Sequence, residues 1–181
     1  MNALNLAEIG FLKALQQAIS CPALDRFFGI VTSLGNGGAL WIVLAFVLLA
    51  IPRTRRVGVS MIIAMALSFV FGNLILKNII ARPRPYQVDP SICLAIRPPR
   101  EYSFPSGHTI NAFSASVALW RDNSRAGRIA IVFAAVIAFT RLYFCVHYPT
   151  DVLGGIVFGF IFGTVSGRIR DALEERRAAH V

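Results

Sequence analysis

The stretch Val57-Gly-Val-Ser-Met-Ile-Ile-Ala-Met-Ala-Leu-Ser-Phe-Val-Phe-Gly-Asn-Leu-Ile-Leu76 contains no charged residue. A helix that crosses a bilayer needs about 20 predominantly apolar residues. Arg53, Arg55 and Arg56 stand before this run and Lys77 closes it, so the charges mark its two ends. Similar apolar runs occupy residues 39–51, 109–120, 129–140 and 152–165. Over the 181 residues, 56% are hydrophobic and 15% charged, and the mean hydropathy is +0.63. Soluble domains average about 45–50% apolar and about 25% charged. The composition excludes a disordered chain, a collagen-like chain and most soluble domains. It predicts an all-α integral membrane bundle of about six helices, one domain over residues 1–181.

The flanks are more polar. Residues 3–20 mix Leu, Ile and Phe with Glu8, Lys13, Gln16 and Gln17, the pattern of an amphipathic helix, so residues 1–22 are expected to lie in the interface. Residues 23–34 form a short apolar helix, ended by Gly35-Asn36-Gly37-Gly38. This pattern leaves open whether residues 3–34 cross once as a bent helix. Residues 77–105 hold Pro83, Pro85, Pro90, Pro98, Pro99 and Pro105 and are expected to form a long active-site loop. Residues 168–181 form a charged tail with helical spacing. No cleavable signal peptide is expected, because Glu8 precedes Lys13 and no positive segment leads into a long apolar core. Cys21, Cys93 and Cys145 form no CxxC pair and suggest no disulfide framework.

The net charge of +9 would suggest nucleic acid in a soluble protein. Here the cations lie between apolar runs, and they report topology instead. Ten of them (Arg53, Arg55, Arg56, Arg121, Arg125, Arg128, Arg168, Arg170, Arg176, Arg177) fall on one face. Six (Lys77, Arg82, Arg84, Arg97, Arg100, Arg141) fall on the other. The richer face is expected to be cytoplasmic, with the C-terminus there. The six cations on the outer face oppose the topological preference and call for an anionic ligand. Gly155, Gly159, Gly163 and Gly167 recur every four residues, a stripe suited to close helix packing within the bundle.

Three clusters share the outer face: Lys77 to Pro85, Tyr102 to His108, and Arg141 to Asp151. Lys77, Arg84 and Arg141 could grip phosphate oxygens, a guanidinium two at a time. Ser106 and Gly107 open a helix whose free N–H groups and dipole favour an anion. Asp151 stands four residues after His147, where it can fix the imidazole tautomer and prepare a nucleophile. His108, beside the helix start, can protonate a leaving oxygen. A metal site on the histidines and Asp151 is disfavoured, since the cations would repel a divalent ion. Arg82 is read as a headgroup contact or a secondary phosphate contact, Arg97 and Arg100 as loop charge, and Asn73 and Asn111 as interhelical hydrogen bonders. Tyr86, Tyr102, Tyr143 and Tyr148 are read as an interfacial aromatic belt.

Lys77-x6-Arg84-Pro85, Pro105-Ser106-Gly107-His108 and Arg141-x5-His147-x3-Asp151 together resemble the three-part signature of the type 2 phosphatidic acid phosphatases. One departure is Thr140, where the family usually has Ser, and it keeps the hydroxyl. The resemblance implies a phosphohistidine on His147, orientation by Asp151 and acid catalysis by His108. It implies phosphate binding by Lys77, Arg84, Ser106, Gly107 and Arg141, and no metal or other cofactor. The expected substrate is a membrane lipid phosphate at the outer face of a bacterial inner membrane: undecaprenyl diphosphate, phosphatidylglycerophosphate or phosphatidic acid. The short 86–104 segment leaves little room for a lid over a soluble substrate. A non-catalytic protein that binds or moves anionic lipids is the alternative. A transporter fits less well, because no charge sits mid-span.

Overall fold

The computed structural model describes residues 3–179. Its elements run α1 (Ala3–Ile19), α2 (Pro22–Leu34), a 3-10 turn (Asn36–Gly38), α3 (Ala39–Ala50) and α4 (Arg55–Leu67). Wider π-type turns over Ser68–Leu76 then carry α4 directly into α5 (Lys77–Ile80). The short α6 (Pro85–Val88) and the long α7 (Gly107–Asp122), α8 (Ser124–Tyr143) and α9 (Pro149–Ala178) follow. Among the described residues there is no strand.

Arg55–Val88, Ser124–Tyr143 and Pro149–Ala178 are each long and apolar enough to span a membrane. Val43, Phe46, Ile129, Val132, Leu153 and Val157 point outward from the bundle, as lipid-facing residues do. The chain is an integral membrane helical bundle. α7 lies at its centre, against α4, α8 and α9. Because its neighbours shield it, α7 tolerates Thr109, Asn111, Ser114 and Ser116, all buried.

Three expected boundaries are corrected. The apolar run at 39–51 is not a crossing by itself. α3 has 12 residues, about 18 Å of helix, against about 30 Å of hydrocarbon. It follows α2 across a 41° bend, and only the two together are long and apolar enough to cross. Gly37 and Gly38 sit at φ +59° and +73°, a left-handed backbone that glycine adopts without strain, and they supply the bend. The proline-rich loop expected from Lys77 begins at Ala81, because the helix continues through the π-type turns to Ile80. Residues 168–178 are not a separate tail; they continue α9. Residues 1–2 and 180–181 lie outside the described residues.

The glycine stripe seats α9 on α7. A Cβ at Gly155 would meet Thr109 at 2.8 Å, and one at Gly159 would meet Phe113 at 2.5 Å. Gly163 stands against Val117 and Gly167 against Arg121. Four residues apart on both helices, these contacts let the backbones approach and bring the N-termini of α7 and α9 side by side. At the other end, Arg170 bonds Asp122 and Asp171, Arg121 bonds Asp171, and Arg56 bonds Glu174. These pairs tie α4, α7 and α9 together on the cation-rich face. All three cysteines are free, with Cys145 buried.

Candidate active site

The three clusters meet around one cavity of about 610 Å³. Lys77, Arg84, Gly107, His108, Arg141 and His147 line its polar end. Ile42 of α3 and Ile62, Met65, Ala66 and Phe69 of the α4 segment line its apolar side. A polar pocket thus continues into an apolar slot between α3 and α4.

Lys77, Arg84 and Arg141 are each at most 4% exposed. The Arg84 guanidinium is held by backbone carbonyls: Nε donates to Glu101 O at 2.6 Å, Nη1 to Val146 O at 2.7 Å and Nη2 to Tyr102 O at 3.2 Å. Nη1 also bonds His147 Nε2 at 3.1 Å. Arg141 donates from Nη1 to Thr32 Oγ1, and its Nε has no hydrogen-bond partner among the described residues. Neither arginine forms an ion pair with a carboxylate among the described residues. Lys77 pairs with Glu101, whose side chain is 69% exposed at the cavity mouth. That bond, and the charge of Lys77, hold the Glu101 carboxyl below its ordinary range against the opposing effect of partial burial.

His147 lies in the turn between α8 and α9. A guanidinium has only donors, so Nε2 accepts the Arg84 bond and the proton of the neutral ring sits on Nδ1. Nδ1 faces Asp151 Oδ2 at 3.4 Å and Ser103 Oγ at 3.5 Å. Asp151 Oδ2 also accepts from Ser103 Oγ at 2.5 Å and from the Tyr148 N–H at 2.9 Å. Burial pushes the His147 pKa down to about 3; the Asp151 hydrogen bond opposes this, and the charges of Arg84 and Arg141 add to it. The result is a neutral imidazole whose Nε2 lone pair stands beside the buried cations.

His108 opens α7 across the cavity. Its Nε2 bonds Asn36 Oδ1 at 3.0 Å, and a Cβ at Gly35 would reach its Cδ2 at 2.8 Å. The α2–α3 bend therefore abuts the ring and helps to hold it. A Cβ at Gly107 would lie 2.9 Å from Asn73 Oδ1 and 3.5 Å from Lys77 Nζ, so glycine keeps this approach open. Ser106 is buried behind Gly107. Its N–H donates to the Asp151 carbonyl at 3.1 Å, and its hydroxyl accepts from Thr109 Oγ1 at 3.0 Å. Asp151 likewise stands behind His147 and does not line the cavity. Thr140 turns its hydroxyl to the Ile137 carbonyl of its own helix.

Several expectations for individual residues change. Arg82 faces away from the cavity, toward Asp151 and Glu8. Asn73 and Asn111 both line the cavity, and Asn111 Oδ1 has no hydrogen-bond partner among the described residues. Tyr143 and Tyr148 are buried rather than interfacial. Arg100 lines the mouth beside Glu101. Ser103, Glu8 and Asn36 were not singled out from sequence. Ser103 lies within the Tyr102–His108 cluster and carried a weak signal; Glu8, one of several polar residues in an amphipathic helix, carried none.

The sequence profile of the PAP2 superfamily matches residues 53–174. An undecaprenyl-diphosphatase of Sulfolobus acidocaldarius is 30% identical over 156 residues, covering 84% of this chain and 75% of the relative. The crystal structure of Aquifex aeolicus LpxE superposes with a TM-score of 0.76 at 32% identity, over 91% of this chain and 95% of that one. The transmembrane PAP2-type phosphatidylglycerolphosphate phosphatase of Bacillus subtilis gives 0.76 at 25% identity, over 95% and 88%.

Proposed function

Since the chain belongs to the PAP2 superfamily, we propose that it is a membrane lipid phosphatase that works through a phosphohistidine on His147. The observation that carries this reading is the pair Arg84 and Arg141, buried at the cavity wall without a carboxylate. A buried charge left unpaired is costly, so such a site favours an anion. Lys77, Arg84, Arg141 and the backbone at Gly107 and His108 that opens α7 hold the phosphoryl oxygens; Ser106, expected among them, stands behind Gly107 and ties the helix start to Asp151 instead. His147 Nε2 attacks phosphorus, the P–O bond to the leaving group breaks, and His108 gives that oxygen its proton. Water then attacks the phosphorus and gives a proton to His108, the P–N bond breaks with its electron pair returning to His147 Nε2, and inorganic phosphate leaves. Asp151 supports the positive charge that the imidazole acquires.

The apolar slot between α3 and α4 favours a lipid that slides in sideways, tail between the helices. Undecaprenyl diphosphate, cleaved to undecaprenyl phosphate and phosphate, is the leading substrate, given the activity named for the Sulfolobus relative. Phosphatidylglycerophosphate and phosphatidic acid follow. The mechanism needs no metal, and the lining cations would repel one. The cation-rich face is cytoplasmic and the site faces outward from the inner membrane.

The test is release of free phosphate in detergent with EDTA present. The panel holds these three lipids and glucose 6-phosphate, with wild type beside His147→Ala. Release that requires His147 and survives EDTA is expected, with the lipids preferred. Turnover by His147→Ala, or loss of wild-type turnover in EDTA, would refute the mechanism.

A further inference from the structure

Arg82 stands two residues before Arg84 but serves the opposite side of the nucleophile. Its Nη1 donates to Asp151 Oδ1 at 2.6 Å and to Thr150 Oγ1 at 2.7 Å. Its Nη2 donates to Glu8 Oε2 and to Asn5 Oδ1, each at 2.6 Å. The guanidinium lies over the Tyr148 ring, 3.8 Å from its centroid. The second oxygen of Glu8 accepts from the Thr150 N–H at 2.7 Å. Glu8 is 6% exposed and Asp151 fully buried. Glu8 therefore closes a buried chain, Glu8–Arg82–Asp151–His147, that links α1 to the N-terminus of α9.

We propose that Arg82 and Glu8 are positioning residues for the nucleophile. The inference rests on the phosphohistidine reading above. Two effects support it. The first is geometric. A rigid guanidinium fork fixes Asp151 Oδ1, which leaves Oδ2 aimed at His147 Nδ1–H and prevents the carboxylate from turning away. The second is electrostatic. The ring gains a positive charge as Nε2 bonds to phosphorus. Arg82 alone would cancel the Asp151 charge that supports it. Glu8 brings the Glu8–Arg82–Asp151 group to a net charge of −1 behind the ring. It also engages the second guanidinium nitrogen, so Arg82 stays committed to this side and is unavailable to phosphate. Glu8 precedes residues 53–174, the segment that matches the superfamily profile. In this chain α1 is thus part of the catalytic apparatus as well as a surface helix.

The experiment compares wild type with Glu8→Gln, Arg82→Lys, Arg82→Gln and the Glu8→Gln/Arg82→Gln double variant. His147→Ala is the control. The probe is whichever lipid phosphate of the panel wild type turns over fastest. Steady-state kcat and KM, acid-quenched phosphoenzyme and thermal unfolding in detergent are measured for each. Glu8→Gln should lower kcat roughly tenfold, and Arg82→Gln roughly a hundredfold, the scale of a misplaced catalytic group. KM should change less than about twofold in both, and phosphoenzyme formation should slow in parallel with kcat. Arg82→Lys should fall between them, since one ammonium cannot serve both carboxylates. The double variant should be no worse than Arg82→Gln alone. Wild-type kcat in Glu8→Gln would overturn the proposal even if the Arg82 variants fail to fold. A KM rise with kcat unchanged in Arg82→Gln would overturn it by making Arg82 a substrate contact. Turnover by His147→Ala would instead defeat the underlying reading.

Discussion

Arg84 and His147 meet at 3.1 Å, and the bond runs in one direction only, from the guanidinium to Nε2. The bond keeps Nε2, the nitrogen of the proposed nucleophile, free of a proton. In the proposed mechanism a phosphoryl oxygen takes over from His147 as the acceptor for Arg84.

A consequence concerns protonation. With its pKa held near 3, His147 stays neutral where an ordinary imidazole, near 6.5, would charge. Nitrogen shifts of labelled His147 in micelles should remain those of a neutral ring from about pH 8 to about pH 5. The unfolded chain gains a proton at this position as pH falls below about 6.5, while the folded chain does not. His147 thus subtracts from stability progressively between about 6.5 and about 3 and subtracts nothing above that window. A ring that titrates near 6.5 in the folded protein would contradict this account.

Asp151 Oδ2 is shared among Ser103, Tyr148 and His147. Asp151→Asn can no longer support a positive ring and should lower kcat by about a thousandfold or more, with a smaller effect on KM. Ser103→Ala removes one donor from a buried carboxylate. It should cost about 1–3 kcal/mol of stability. Its kcat should fall far less than that of Asp151→Asn. Equal losses in the two variants would give Ser103 a direct part in proton transfer.

Glu101 pairs with Lys77 at the cavity mouth. Since Lys77 keeps that carboxyl ionised, mild acid will not release it, but Glu101→Gln will. Inorganic phosphate should then inhibit about two- to fivefold more strongly, the size of an ion pair whose carboxylate is mostly in solvent. Arg84 should be unaffected, because it bonds the Glu101 backbone carbonyl rather than the side chain. Unchanged inhibition would mean that phosphate binds without displacing Glu101.

The apolar slot beside Ala66 makes a separate prediction. Ala66→Trp should fill the space between α3 and α4 and raise KM for a long-chain lipid phosphate by about tenfold, with kcat kept. A short-chain, water-soluble phosphatidic acid should show little change. An equal effect on both substrates would place the access route elsewhere.

The convergence of Lys77, Arg84, Gly107, His108, Arg141 and His147 was legible because regular helices and apolar runs dictate which ends share a face. The glycine stripe was legible for the same reason, since a four-residue period maps onto one helix surface. Glu8 was not. It acts on Arg82, 74 residues away, and no local pattern encodes so distant a contact. Arg82 was misread because its neighbour Arg84 does line the cavity, and spacing alone cannot say that the two side chains part. The limits of the 39–51 run were missed because hydropathy records length and polarity but not a 41° bend.

The π-type turns of Ser68–Leu76 have a final implication. Each such turn spends about one residue more than an α-turn, so the segment resets the angular phase of everything after it. Lys77 faces the cavity at that phase. Deleting one residue between Leu67 and Lys77 would swing the lysine about 100° around the helix and turn it from the pocket toward lipid, with every catalytic side chain still present. The spacing of Lys77 from the apolar run before it therefore fixes whether the lysine faces the proposed phosphate site at all.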